Sequence, residues 1–178
     1  MDTSLYHFWK QGHIELPWKD NQHQDLEYKR TIYNSAADYG WQEYRDAGFT
    51  NKYYTGKMYD MTNPEPEWMG YETLKQIFPF EDIHWCFYNL SPGEVLPEHT
   101  DKYARLVKNF DTKSRTIVRT VIFLDDWKQG HYLEMDRNPI VNWKAGDYVM
   151  WTSALRHCAA NLGFDERYTL QLTGFLKL

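Results

Sequence analysis

Residues 84–176 run as a succession of short β-branched and aromatic segments separated by turn signals. This pattern narrows the folds open to the chain more than any other feature. Thr116-Ile117-Val118-Arg119-Thr120-Val121-Ile122-Phe123-Leu124 is apolar almost throughout, as a strand buried on both faces would be. His84–Leu90 reads as a strand stopped by Ser91-Pro92-Gly93. Shorter strands are expected at Tyr132–Met135, Ile140–Trp143, Tyr148–Trp151 and Tyr168–Phe175, with Asn138-Pro139 and Lys144-Ala145-Gly146-Asp147 as turns. Many short strands at close spacing predict a mainly β sandwich or jelly roll.

The first eighty or so residues have a different texture. Residues 31–46 predict a helix ended near Gly40, 47–51 a turn, and Lys52–Thr55 an extended segment. Asn63-Pro64-Glu65-Pro66-Glu67 is a rigid turn, and Glu67–Ile77 has helical spacing that stops before Pro79. At 178 residues the whole is read as one domain, with 1–83 packing helices and loops on a β core at 84–176.

Composition excludes several classes. The net charge is −5 and no Lys/Arg run appears, which weighs against general nucleic-acid binding. A local basic groove from Arg105, Lys108, Lys113, Arg115 and Arg119 stays open. No stretch is apolar and long enough to span a membrane, and the N-terminus lacks a signal-peptide pattern. Cys86 and Cys158 are the only cysteines, so no disulfide framework is implied and a reducing cytoplasm is the expected location. With 8 Trp, 14 Tyr and 9 Phe against a mean hydropathy of −0.75, much aromatic surface should be half-buried or line a cleft.

The chemistry-bearing residues are His99, Asp101 and His157, followed by Arg167 and Thr169. Two imidazoles and one carboxylate are the protein ligands of a facial-triad Fe(II) site with open positions. By raw affinity Zn(II) or Ni(II) would bind such a set more tightly. On a strand, residues i and i+2 share a face, so His99 and Asp101 can point at one metal. Pro97 and Gly93 bracket their approach and place them at a strand end. His157 is expected to close the set from across the barrel. An H-x-D alone is weak; its order with a late His and then Arg167 near the chain end carries the information. Arg167 and Thr169, two apart, offer a planar cation and a hydroxyl suited to a dicarboxylate.

These motifs read Ser91-Pro92-Gly93-Glu94-Val95-Leu96-Pro97-Glu98-His99-Thr100-Asp101, Trp143-Lys144-Ala145-Gly146-Asp147, His157-Cys158-Ala159-Ala160-Asn161 and Glu166-Arg167-Tyr168-Thr169. Over about residues 84–176 the chain resembles the Fe(II)/2-oxoglutarate-dependent oxygenases of double-stranded β-helix, cupin-like fold. It is similar in particular to the aspartyl/asparaginyl β-hydroxylase and prolyl hydroxylase branches. Asp101 departs from those aspartyl hydroxylases that lack the carboxylate, and argues against halogenating relatives.

The resemblance implies a dioxygenase with Fe(II), 2-oxoglutarate and O2, which hydroxylates an amino-acid side chain, free or in a peptide, and releases succinate and CO2. It implies that the distal carboxylate of 2-oxoglutarate pairs with Arg167, assisted by Thr169. Tyr88 is either a hydroxyl donor to 2-oxoglutarate or a core tyrosine. Arg119, a charge within an apolar strand, is either a ligand for a substrate or cosubstrate carboxylate or a salt-bridged core residue. Trp151 and Asn161 either line the iron pocket or serve packing and a turn, with packing favoured for Trp151. Two alternatives stand: the same chemistry on a nucleobase or small metabolite, and a non-catalytic metal-binding jelly roll that binds a ligand. His7, His13 and His23 are expected at the surface, Asp125-Asp126 as a polar turn, Cys158 as a small buried residue, and Lys102–Ser114 as a solvated loop or a lid.

Overall fold

A computed structural model describes residues 8–30, 46–48, 56–101, 103–112, 115–152 and 155–176, without the side chains of 104 and 105. The expected helix at 31–46 lies outside these residues except for Asp46, as do most of the turn at 47–51 and the extended segment at 52–55.

The chain order is β1 (Trp9–His13), β2 (Lys29–Arg30), β3 (Lys57–Asp60), α1 (Tyr71–Ile77), β4 (Glu81–Leu90), β5 (Val95–His99), α2 (Ala104–Asn109), β6 (Ile117–Phe123), β7 (His131–Met135), β8 (Asn138–Ile140), β9 (Asp147–Thr152), β10 (His157–Asn161) and β11 (Arg167–Phe175). Seven strands form one sheet in the order β1-β9-β6-β11-β4-β3-β2, and four form a second in the order β5-β10-β7-β8. All pairs are antiparallel. This is the mainly β jelly roll expected from the strand spacing.

The period-2 rule divides the long strands of the large sheet between two cores. Tyr88, Leu90, Val121, Phe123, Val149 and Trp151 face the small sheet and meet Leu133, Met135 and Ala159 there. Ile83, Trp85, Phe87, Ile122, Leu124, Leu170 and Leu172 face the other way. Ile14, Trp18, Met69, Leu74 and Phe78, all from the first eighty residues, cover that outer face. The nearly continuous apolar run of β6 therefore arises because the sheet has protein on both sides.

Two readings need correction. Asn138-Pro139 is not a turn but the start of β8. The turn is Asp136-Arg137, both at positive φ (48° and 64°), which closes a two-residue hairpin between Met135 and Asn138. Proline is tolerated in β8 because that strand pairs with β7 alone. The helix at 67–77 is split by Gly70 at φ 62°, leaving a 3-10 turn at Glu67–Met69 before α1.

The described part of the segment after Asp101 is not a solvated loop. It carries α2, with Tyr103 and Leu106 buried against Ile117 and Phe175. The basic groove does not form as a free surface among the described residues either. Arg115 is bonded to Glu81 and Asp82, and Arg119 faces Asp101. No described helix is long and apolar enough to cross a membrane.

Candidate metal centre

His99 is the last residue of β5 and His157 the first of β10. The two are direct cross-strand partners in the small sheet. His157 thus joins the set from the adjacent strand, not from across the barrel. The expectation failed because the sequence does not reveal which strands become neighbours. A register irregularity between His157 and Ala159 lies at this end of the ladder. β5 is an edge strand, so Pro97 within it costs no ladder bond from a second neighbour. The two imidazole centroids lie 4.3 Å apart.

Asp101 follows just outside β5. One ligand atom each from His99, Asp101 and His157 lies within 4.8 Å of the others. His99 Nε2 is 4.0 Å from Asp101 Oδ1, and His157 Nε2 is 3.7 Å from Asp101 Oδ2. The opposite ring nitrogens are engaged by backbone carbonyls. His99 Nδ1 donates to Pro97 O at 2.7 Å, and His157 Nδ1 donates to Leu155 O at 3.1 Å. A carbonyl can only accept, so each Nδ1 carries the proton and each Nε2, the nitrogen towards Asp101, is the candidate donor to a metal. This is how metal-ligating histidines are commonly oriented.

Burial pushes the pKa of His157 down to about 4, and the charge of Asp101 opposes this only in part. Burial alone would raise the carboxyl of Asp101. The Arg119 guanidinium, with His157, His99 and Tyr103, outweighs it and holds Asp101 below the usual carboxylate range. An ionised carboxylate beside a neutral imidazole is the protonation state a divalent cation requires. The Asp101 Oδ2 atom is buried with no hydrogen-bond partner, as an acceptor reserved for a cation would be.

The depressed pKa of His157 carries a pH prediction. The unfolded chain binds this proton near pH 6.5 and the folded chain only near 4. The contribution is therefore fully present above 6.5 and is lost as pH falls towards 4, by about 3 kcal/mol at most. Metal-free protein should show a falling Tm over that window in a thermal scan. The fall should be shallower in His157→Gln. Equal slopes in both proteins would contradict a buried neutral His157.

Arg167 opens β11 and is 5% exposed. Among the described residues no carboxylate forms an ion pair with it. Its guanidinium lies 5.4 Å from the Trp143 ring centroid and 5.8 Å from that of Phe123, two rings stacked on each other at 4.0 Å. Burial pulls its pKa down to about 10, opposed by Tyr88 alone, and its Nε has no hydrogen-bond partner. Thr169 shares its face of β11 and is 2% exposed; Tyr88 is its cross-strand partner. The Tyr88 hydroxyl accepts the Gly56 N–H at 2.8 Å. Trp151, whose ring is 4.9 Å from His157, belongs to the same apolar cluster as Phe123 and Trp143. Arg167 and the histidine pair therefore open on one interior between the two sheets.

The remaining candidates divide. Arg119 faces Asp101: its Nε is 3.4 Å from Asp101 Oδ2 and its Nη1 donates to Gln171 Oε1 at 2.9 Å. Trp151 packs at 2% exposure. Asn161 is a fastener, donating to Leu90 O and Asp165 O and accepting from Gly163 N–H. Gly146 explains the W-x-x-G-D turn. It sits at φ 89°, donates to Phe123 O, and a Cβ there would lie 2.2 Å from Ile14 O. Asp125 and Asp126 form a turn bonded to His23, Gln24, Lys144 and Ala145.

His23 is not at the surface; it is 1% exposed, with Nε2 towards Asp125 and its ring edge-on to Tyr168. Burial raises the thiol of Cys158 to about 11, so it is no thiolate nucleophile. Tyr103 and Gln171 were missed. Both continue a visible alternation: Tyr103 stands two after Asp101, and Gln171 two after Thr169.

No protein-family model matches the sequence, and no curated protein matches it. Among solved structures, the chain is similar to a Pseudomonas putida prolyl-4-hydroxylase, with a TM-score of 0.59 and 18% identity over 99% of this chain and 96% of that one. A putative sugar phosphate isomerase from Acidithiobacillus ferrooxidans matches with a TM-score of 0.47 and 14% identity over 90% and 76%. A cupin protein from Bacteroides fragilis matches at 0.40 and 13% over 59% and 78%. The chain has a cupin-like jelly-roll fold, held in common with the prolyl-4-hydroxylase over nearly its whole length.

Proposed function

We propose that the protein is an Fe(II)- and 2-oxoglutarate-dependent dioxygenase that hydroxylates an amino-acid side chain, free or in a peptide. The observation that carries this reading is the pairing of the His99, Asp101 and His157 cluster with Arg167, a buried cation that forms no ion pair among the described residues. A non-catalytic metal-binding jelly roll has no use for such a cation, whereas a cosubstrate with a free carboxylate supplies its missing partner. Similarity to the prolyl-4-hydroxylase supports the amino-acid substrate class.

In this reading His99 and His157 bind the iron through Nε2 and Asp101 through its carboxylate. Arg167 and Thr169 receive the distal carboxylate of 2-oxoglutarate. Tyr88, whose hydroxyl oxygen accepts from Gly56, is the candidate hydroxyl donor to 2-oxoglutarate. Leu133, Met135, Val121 and Leu155 wall the interior and exclude water. Iron with 2-oxoglutarate and O2 supplies the oxidation that replaces a substrate C–H by C–OH, with release of succinate and CO2. The protein orients the reactants on a rigid sheet.

Anaerobic absorption spectroscopy with Fe(II), before and after 2-oxoglutarate, tests the reading. A weak visible charge-transfer band that needs both components is expected. Its absence in protein shown to bind Fe(II) would favour the non-oxidative metal-binding alternative.

A further inference from the structure

Of the three candidate ligands, Asp101 is the one that no strand holds. β5 ends at His99, and Asp101 stands on the connection to α2. A carboxylate on a connecting segment has two side-chain torsions to fix before it can complete a facial set, so its surroundings must supply the order. Those surroundings come from three other elements.

Arg119 on β6 faces it, with Nε 3.4 Å from Oδ2. Gln171 on β11 accepts from Arg119 Nη1 at 2.9 Å and fixes the guanidinium from behind. Tyr103 lies with its ring centroid 5.0 Å from the guanidinium carbon, and its hydroxyl is buried beside both charges. The backbone of Tyr103 is left-handed at φ 47°, a conformation that costs a non-glycine residue about 1–3 kcal/mol. It persists because Tyr103 is packed with Leu106, Ile117, Phe175 and Phe110. The strained residue comes two positions after the ligand, and its packing ties the ligand segment to the end of the large sheet.

We propose that Arg119 is a positioning residue which, seated on Gln171 and covered by Tyr103, holds the Asp101 carboxylate in place as a metal ligand, and does not itself bind cosubstrate or substrate. This rests on the metal-centre reading above. It assigns the charge inside β6 a task that a core salt bridge alone would not have. Its loss should be felt at the metal before any cosubstrate is added.

The test is titration of the metal-free full chain with Co(II), without 2-oxoglutarate, following the d–d absorption bands. Arg119→Met should weaken Co(II) binding by about 10–100-fold, the range for loss of a partner behind a ligand, and should alter the bands. Arg119→Lys keeps the charge but not the fork, and should recover part of both. In an Asp101→Ala background Arg119→Met should weaken binding no further, because it acts through that carboxylate. Unchanged Co(II) affinity and spectrum in Arg119→Met, with a raised KM for 2-oxoglutarate, would overturn the proposal and make Arg119 a cosubstrate ligand.

If circular dichroism shows Arg119→Met to be unfolded, Arg119→Lys and Tyr103→Phe decide. Wild-type Co(II) binding in both overturns the proposal, and weakened binding with altered bands in either supports it. A wild-type protein that binds no Co(II), or binds it equally well as His99→Ala, brings down the metal-centre reading and this proposal together. Wild-type binding that depends on His99 but not on Arg119 brings down this proposal alone.

Discussion

Asp101→Ala is expected to abolish 2-oxoglutarate consumption and substrate hydroxylation while leaving the jelly roll folded. The carboxylate is the one anionic donor of the candidate centre, so its removal takes away charge as well as a ligand. Loss of a partner behind a ligand typically costs 10–100-fold, so loss of a ligand should reduce turnover by more than about 100-fold. The fold should survive because Asp101 belongs to neither sheet; the ladders β5·β10 and β4·β11 close without it. His99→Ala should behave alike. Succinate release reads the activity and far-ultraviolet circular dichroism reads the fold. Turnover within tenfold of wild type in both folded variants would refute the metal assignment.

Arg167→Met is expected to have opposite effects on affinity and stability. Truncating one partner of a buried charge pair costs about 2–5 kcal/mol, so the KM for 2-oxoglutarate should rise by about 30-fold or more, with a smaller change in kcat. In the absence of cosubstrate, however, the protein carries a buried cation that burial itself disfavours. Methionine fills similar volume between Trp143, Phe123 and Tyr88 without that desolvation cost. The Tm of the cosubstrate-free variant should therefore equal or exceed that of wild type, and added 2-oxoglutarate should no longer raise it. This trade between function and stability is common where a site is held ready for a charged ligand. An unchanged KM would mean that the cosubstrate carboxylate is held elsewhere.

Much of the fold was legible because burial on a pleated sheet leaves a simple trace. The β6 run Ile117–Phe123 has protein on both faces and is apolar but for Arg119 and Thr120, so it could be read without a structure. Gly146 marked its turn because only a residue without Cβ fits at φ 89° against Ile14. Short strands were less legible. β1 and β5 carry Lys10, Gln11 and Glu98 on exposed edges, and β10 is rich in alanine, so propensity alone does not mark them as strands. Asn138-Pro139 misled because turn residues also begin edge strands.

The same division runs through the site. Residue type and spacing marked the candidate donor set: H-x-D keeps two possible ligands near one strand end, and R-x-T puts a cation and a hydroxyl on one face of β11, because side chains alternate along a strand with a period of two. Chemistry that depends on a residue's own identity and its near neighbours is written locally.

What partners a residue across the sheet is not. The cross-strand pairing of His99 with His157, the burial of Arg167 without an ion pair among the described residues, and the pairing of Arg119 with Asp101 follow from sheet order and register. Register is set by the packing of the whole interior, since a slip of one residue would turn every side chain to the opposite face. The sequence alone thus determined which groups are available for a metal and a carboxylate. Only the tertiary structure decided which of Arg119 and Arg167 faces an aspartate and which lies buried without an ion pair among the described residues.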